Sequence, residues 1–275
     1  MNLQSFRDKI KWFFRRHPLL YYIRFALVCK NYKGNHLLLP VFNDINKKED
    51  APSLFLKVNE KIPLEPEMDE FDKARAIAVY LRKQIPGGRG LGLSSNKALE
   101  LMLAGDGGVC SDFSQIFNEF CVINDIKVRE WGTVEKFYNP MFGHTFNEIF
   151  STRLNKWIVI DVGKNLFYKG DGDEPLSVIE LFPYLRNGNQ IKYEHFSDHV
   201  CIDLYKIDKT YSKFTIPFVI SNYNNKEYDH YLNRYQYRMP SFMINALMIV
   251  LGKNYKFIFV LDNYRTKLLQ FKKTA

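Results

Sequence analysis

One cysteine, Cys110, stands where a glycine-rich turn meets an amphipathic helix, and this junction constrains the fold of the chain more than any other sequence feature. The turn reads Gly-Asp-Gly-Gly over residues 105–108, and the helix after it carries apolar side chains on one face: Phe113, Ile116, Phe117, Phe120 and Cys121. A thiol at a helix N-terminus lies beside partial positive charge and free N–H groups, which favour its thiolate form. We therefore expect Cys110 to be a nucleophile, with glycines before it that allow a close approach of backbone and substrate.

Helical patterns precede strand patterns along the chain. Apolar residues recur at helical spacing in residues 69–85, and a second helix is predicted at 96–103. After the Cys110 helix, β-branched and aromatic residues predict strands at 126–134, 145–150 and 157–162. This order predicts an α+β fold in which the Cys110 helix packs on an antiparallel β-sheet.

A histidine and an aspartate occupy corresponding places on two of these strands. If the hairpin closes with Phe150 opposite Asn155, counting back along both strands pairs His144 with Asp161. Directly opposed residues share a face of the sheet, with Cβ atoms about 4.5 to 5.5 Å apart. A carboxylate at that distance can orient the imidazole of a general base. We therefore predict Cys110, His144 and Asp161 as nucleophile, base and orienting carboxylate.

The sheet face that carries His144 is also expected to receive the Cys110 helix. Phe146, Trp157 and Val159 fall on this face and offer an apolar surface. Glu148 falls on it as well, and a carboxylate buried there requires a partner. This charge is an objection to the assumed register.

Four segments resemble the transglutaminase-like superfamily in their order and spacing. They are Gly-Val-Cys-Ser-Asp-Phe-Ser at 108–114, Val-Arg at 128–129 before Gly132, His-Thr-Phe-Asn-Glu at 144–148, and Trp-Ile-Val-Ile-Asp at 157–161. The resemblance extends over residues 69–162. It implies a papain-like fold and a catalytic triad made of Cys110, His144 and Asp161.

The sequence departs from the family pattern at three places. Asn124 and Asp125 replace the Gly that is frequent before the Arg129 strand, Phe146 replaces the usual Trp, and Asn147 is polar where an apolar residue is common. None of these departures removes a catalytic group.

Three regions are predicted along the chain. Residues 1–68 are expected to form a basic aromatic arm and connecting loops with one short strand, and residues 69–200 the catalytic core. Residues 201–275 are expected to form an aromatic-rich extension packed on that core. The glycines within residues 87–92 indicate a mobile loop, and they lack the Lys-Ser/Thr of a phosphate-binding loop.

The first thirty residues are basic and aromatic, in a chain of net charge +9. Two interpretations stay open: a helix that packs its aromatic side on the core, or a peripheral arm that docks on an anionic membrane or a protein partner. The apolar run at 19–29 contains Arg24 and is too short to cross a bilayer. Nucleic acid is not an expected partner, because no recognised binding motif accompanies the charge.

The four cysteines, at positions 29, 110, 121 and 201, lack the spacing of a zinc site or a disulfide framework. His195 and His199 have a metal-like spacing but no third ligand. We therefore expect no cofactor and no metal. Cysteines without a disulfide framework favour a reducing compartment, and we predict a cytoplasmic protein, associated with the membrane periphery if the arm docks on lipid.

The resemblance predicts cysteine-dependent chemistry on amide bonds through a thioacyl intermediate. Water as the acceptor gives a peptidase or amidase that acts on a peptide, protein or other amide, and this is favoured because no flanking β-sandwich domain is recognised. The alternatives are a protein-glutamine transglutaminase, or a scaffold module without activity whose cleft is covered by the Tyr-rich segment 223–237. The second oxyanion donor stays open among Gln84, Ser95 and Asn96.

Overall fold

The structure is a computed structural model that describes residues 23, 25–34, 45–135, 143–197, 204–221 and 224–274. Most of the predicted N-terminal arm lies outside these residues, so the helical form of the arm stays a prediction. His199 and Cys201 also lie outside the described residues. Within the described ranges, no helix combines the length and apolar character needed to cross a membrane.

The chain folds into an α+β arrangement of helices and two sheets. The helices are α1 (Ser53–Asn59), α2 (Glu70–Gln84), α3 (Ser95–Leu103), α4 (Cys110–Ile123), α5 (Val178–Arg186), α6 (Leu204–Thr210), α7 (Asn225–Tyr235), α8 (Ser241–Val250) and α9 (Tyr264–Thr274), with a 3₁₀ turn at Lys48–Asp50. The strands are β1 (Cys29–Asn31), β2 (Val128–Val134), β3 (Gly143–Ser151), β4 (Lys156–Ile160), β5 (Leu166–Lys169), β6 (Lys192–His195), β7 (Ile216–Ser221) and β8 (Lys256–Phe259).

The main sheet has six strands in the order β1-β8-β7-β2-β3-β4, and β5 pairs with β6 in a separate sheet. Most neighbours are antiparallel, but β1 runs parallel to β8. The sheet predicted to be antiparallel is therefore mixed: the strands β2, β3 and β4 are antiparallel, and the parallel pair lies at the β1 edge. Each of the three predicted regions contributes at least one strand to this sheet.

The β3–β4 hairpin differs from the predicted register by two residues. Phe150 pairs with Trp157, not with Asn155, because the turn uses Asn155 itself in a left-handed conformation with φ of 48°. His144 is therefore not directly opposite Asp161. A shift of two residues preserves the face of every side chain, so His144 and Asp161 still share one face.

Helix α4 packs on the sheet face opposite to the one predicted. Its apolar side chains join one core cluster with strand residues Val128, Ile149, Ile158 and Ile160. Phe146 and Val159 lie in a different cluster, which is closed by residues of α5. The sequence could not distinguish the two faces because helices cover both, and consecutive residues of β3 are buried.

Residues 31–68 contain a helix where connecting loops were predicted. Helix α1 follows Pro52 and buries Phe55 and Val58 against the core. The Phe55 ring centroid lies 5.1 Å from that of Phe120 in α4. Seven residues with two buried positions give a weak periodic signal, which explains why this helix was missed.

Candidate active site

Two glycine-containing segments pair with each other in front of α4. The N–H of Gly88 donates to the carbonyl of Gly108, and the N–H of Gly108 donates to the carbonyl of Arg89, both at 2.9 Å. A Cβ atom at Gly107, which has φ of 151°, would lie 2.6 Å from the Arg89 carbonyl oxygen. These glycines thus permit a close contact between two backbones, and the segment predicted to be a mobile loop is hydrogen-bonded to the turn before Cys110.

Cys110 is the first residue of α4, as predicted from the sequence. The Asp112 carboxylate accepts hydrogen bonds from the N–H of Val109 at 2.9 Å and of Leu91 at 3.2 Å, which ties the helix start to the glycine segment. Cys110 is partly exposed, whereas Cys29 and Cys121 are buried. The helix therefore begins at a cysteine that is partly exposed.

The His144 ring contacts the Asp161 carboxylate directly. Nε2 of His144 lies 2.7 Å from Oδ2 of Asp161, and the carboxylate is fully buried. Because Nε2 faces Asp161, Nδ1 is the ring nitrogen available for the hydrogen bond that joins His144 to the Cys110 thiol. The structure therefore brings Cys110, His144 and Asp161 into one hydrogen-bonded chain.

The charges of Cys110, His144 and Asp161 stabilise one another. Burial raises the pKa of the Cys110 thiol, but the hydrogen bond and charge of His144 and the N–H of Thr145 outweigh it, so the thiol pKa lies below its ordinary value. Burial lowers the pKa of His144, whereas Asp161 and Cys110 raise it to about 9. Both shifts favour a thiolate beside an imidazolium.

Asp161 is held from two sides. The N–H of Lys164 donates to Oδ1 at 2.9 Å, and the Tyr211 hydroxyl donates to Oδ2 at 2.7 Å. Burial raises the pKa of the Asp161 carboxyl, but the charge and hydrogen bond of His144, the charge of Lys164 and the Tyr211 hydroxyl together lower it. The carboxylate therefore stays ionised in a buried position.

We expect iodoacetamide near neutral pH to alkylate Cys110 before the other three cysteines. The thiolate of Cys110 is favoured, whereas burial raises the pKa of Cys121 well above its ordinary value. Peptide mass spectrometry of the native protein measures the order of labelling. Earlier labelling of Cys121 would contradict the assignment of Cys110 as the nucleophile.

The other histidines of the described chain lie apart from these contacts. Nδ1 of His195 lies 3.3 Å from the carbonyl oxygen of Asn165, and His230 is exposed. Among the residues that the structure describes, no group of three or more His, Cys, Asp or Glu side chains is arranged to hold a metal ion.

The predicted candidates for the second oxyanion donor have other surroundings. Ser95 donates its N–H and hydroxyl to the Asp229 carboxylate of α7. Gln84 and Asn96 are exposed. No contact in the described part of the chain ties any of these three to Cys110.

Glu130 of β2 is an ionisable group at the site that sequence reasoning missed. It is 6% exposed, and burial together with the nearby charge of Cys110 raises the pKa of its carboxyl to about 8. The carboxyl is therefore protonated at neutral pH and can donate a hydrogen bond. The only signal in the sequence was an acidic residue among the apolar and basic residues of a strand-like run.

Glu148 has the partner that its burial requires. Its carboxylate accepts from Nε of Arg129 at 2.6 Å, from Nε1 of Trp131 at 2.5 Å and from the N–H of Val178 at 2.6 Å. The Arg129 guanidinium also lies 3.8 Å from the ring centroid of Trp157. This cluster joins β2, β3, β4 and α5, and it resolves the objection to placing Glu148 on the His144 face.

A comparison with family models agrees with this geometry. The model described as the transglutaminase-like superfamily matches residues 58–162, the segment that contains Cys110, His144 and Asp161. No curated protein matched the chain in a sequence search. At residues 58–162 the chain therefore carries a domain of the transglutaminase-like superfamily.

Proposed function

We propose that the chain is a cysteine hydrolase that cleaves amide bonds through a thioester on Cys110. A transglutaminase-like domain suggests cysteine-based catalysis in general. The observation that carries the proposal is the set of contacts that leads from the thiol of the partly exposed residue Cys110 through His144 to Asp161, with 2.7 Å between Nε2 and Oδ2.

In the proposed reaction, the Cys110 thiolate attacks the substrate carbonyl carbon and forms a tetrahedral oxyanion. As the C–N bond breaks, the His144 imidazolium gives its proton to the leaving amine, and a thioester remains on Cys110. Water then adds to the thioester while His144 accepts a proton from it. Cleavage of the C–S bond releases the carboxylic acid and restores the thiolate. Asp161 orients the imidazole throughout.

One donor for the oxyanion is proposed at the start of α4, and a second on β2. The N–H of Cys110 lies in the first turn of the helix, where N–H groups lack intrahelical partners. We assign the protonated Glu130 carboxyl as the candidate second donor, in place of Gln84, Ser95 or Asn96. Its burial and its closeness to the Cys110 charge support this choice.

The tryptophans of the described chain support hydrolysis over amine transfer. A thioester that prefers an amine to water requires a dry channel with an amine site. Trp131 is fully buried and donates a hydrogen bond to Glu148, and Trp157 packs under Arg129. These contacts hold both rings in the core. Water is therefore the acceptor that we propose.

The contacts of α7 support an open site over a covered scaffold. Asp229 and Lys226 of this helix bind Ser95 and Asp50, respectively, and Cys110 stays partly exposed. Over its described residues the Tyr-rich segment contacts Ser95 of α3, Asp50, and Glu119 in the second half of α4.

The test of this proposal offers the protein a peptide and amide panel together with a labelled primary amine. We expect hydrolysis to exceed amine incorporation, and the Cys110→Ala variant to form neither product because it lacks the nucleophile. Mass spectrometry of the products measures both reactions. Greater incorporation would assign a transglutaminase, and the lack of any Cys110-dependent product would favour a scaffold.

A further inference from the structure

Tyr211 reaches the site from outside the segment that matches the superfamily. It follows α6, whereas the match ends at residue 162. Its hydroxyl donates to Oδ2 of Asp161 at 2.7 Å, and this oxygen is the one that lies 2.7 Å from Nε2 of His144. One carboxylate oxygen is thus shared between Tyr211 and His144.

We propose that Tyr211 is a positioning residue, which holds the Asp161 carboxylate against His144 and thereby keeps the Cys110 thiol ionised. The importance of Tyr211 in catalysis rests on the proposed function. The effect of Tyr211 on the Cys110 thiol can be measured without a substrate.

The packing around Tyr211 fixes the direction of its hydroxyl. The residue is 2% exposed, and its ring centroid lies 4.5 Å from Tyr168, 5.6 Å from Phe146 and 6.0 Å from His144. The N–H of Tyr211 also donates to the carbonyl of Ile207 at 2.9 Å. Because neighbouring rings enclose the Tyr211 ring, the side chain cannot rotate away, and its hydroxyl stays in contact with Asp161.

The two oxygens of Asp161 have separate anchors. Oδ1 accepts from the N–H of Lys164, and Oδ2 accepts from Tyr211. Without the Tyr211 hydroxyl, only the Lys164 anchor would resist rotation of the carboxylate away from His144. The imidazolium would then lose part of its stabilisation, and the thiolate that depends on it would form at higher pH.

Other titratable groups face this chain and remain in place when Tyr211 is changed. The charges of Arg82 and Lys164 interact with that of Asp161, and the charge of Cys110 raises the pKa of Glu130. Burial raises the pKa of Tyr168 well above its ordinary value, so this neighbour stays neutral near physiological pH. A change in the Cys110 titration on removal of one hydroxyl therefore reports on Tyr211 itself.

The experiment measures the rate of Cys110 alkylation by iodoacetamide in the wild type and in Tyr211→Phe. The assay covers pH values from about 4 to about 10. We expect the midpoint of thiolate formation to move up by about one pH unit. Below the midpoint, the alkylation rate then falls about tenfold. The matched control is Tyr264→Phe, which removes a hydroxyl from another buried tyrosine of the C-terminal region and should leave the midpoint unchanged.

Asp161→Asn tests whether Tyr211 acts through Asp161. Asp161→Asn alone should raise the midpoint, and Tyr211→Phe should add little to it in that background, because the two changes interrupt one path. An unchanged midpoint in Tyr211→Phe, or equal shifts in both backgrounds, would overturn the inference. Failure of Tyr211→Phe to fold while Tyr264→Phe folds would assign a structural role and also overturn it. Failure of the amide panel would refute the hydrolase proposal while leaving a measured midpoint shift intact.

Discussion

His144→Ala should lower kcat/KM on any amide substrate of the panel by about 10⁴-fold or more. Two losses combine: the thiolate loses its neighbouring cation, and the leaving amine loses its proton donor. His230→Ala, a change at an exposed histidine, is the matched control and should leave the rate unchanged. Steady-state kinetics of the purified variants measure both effects. A loss of less than tenfold would exclude His144 as the general acid and base.

The same experiment has a pH dependence with a defined sign. His144 must be protonated to act as the acid, and its pKa is raised to about 9. Wild-type activity should therefore hold through neutral pH and fall as the pH rises through about 9. His144→Ala should lose this alkaline limb. A wild-type limb near the ordinary histidine pKa of about 6.5 would show that Asp161 does not stabilise the imidazolium.

Glu148→Gln should destabilise the fold by about 3 to 5 kcal/mol. Arg129 and Glu148 are both fully buried, so the neutral amide would leave the guanidinium without its compensating charge. Urea unfolding at constant pH measures the loss. The control is Glu100→Gln, which breaks an exposed pair with Lys97 and should cost less than about 1 kcal/mol.

A double variant separates the charge from the shape of this cluster. Arg129→Met with Glu148→Leu replaces both ions by apolar side chains, and such replacements are often neutral or stabilising. We expect it to recover only the part of the loss that comes from the unpaired guanidinium, because the N–H groups of Trp131 and Val178 lose their acceptor when Glu148 becomes Leu. A cost of Glu148→Gln no greater than that of Glu100→Gln would refute the buried ion pair as a determinant of stability.

Local patterns in the sequence predicted the parts of the site that depend on local structure. Cys110 opens its helix because a glycine turn precedes an apolar helical repeat, and both features lie within a few residues. His144 and Asp161 share a face because strand periodicity survives a register shift of two residues. The exact pairing was missed because the turn takes Asn155 into a left-handed conformation.

Contacts between distant segments left no such pattern. Tyr211 meets Asp161 fifty residues away, and nothing in the sequence around Tyr211 marks it. The sequence also did not show which face of the sheet receives α4, because both faces are apolar and buried. Positions of this kind depend on the assembled tertiary structure and not on propensity.

The parallel pairing of β1 with β8 has a consequence for the order in which the protein is assembled during synthesis. On the ribosome, residues 29–31 emerge long before residues 256–259, and within the described chain β8 is the only strand beside β1. Ordering of this edge must therefore wait until residues 256–259 have been made, and contacts of such long sequence separation form slowly. During translation, β1 thus has no strand to pair with in the described chain until β8 has been made.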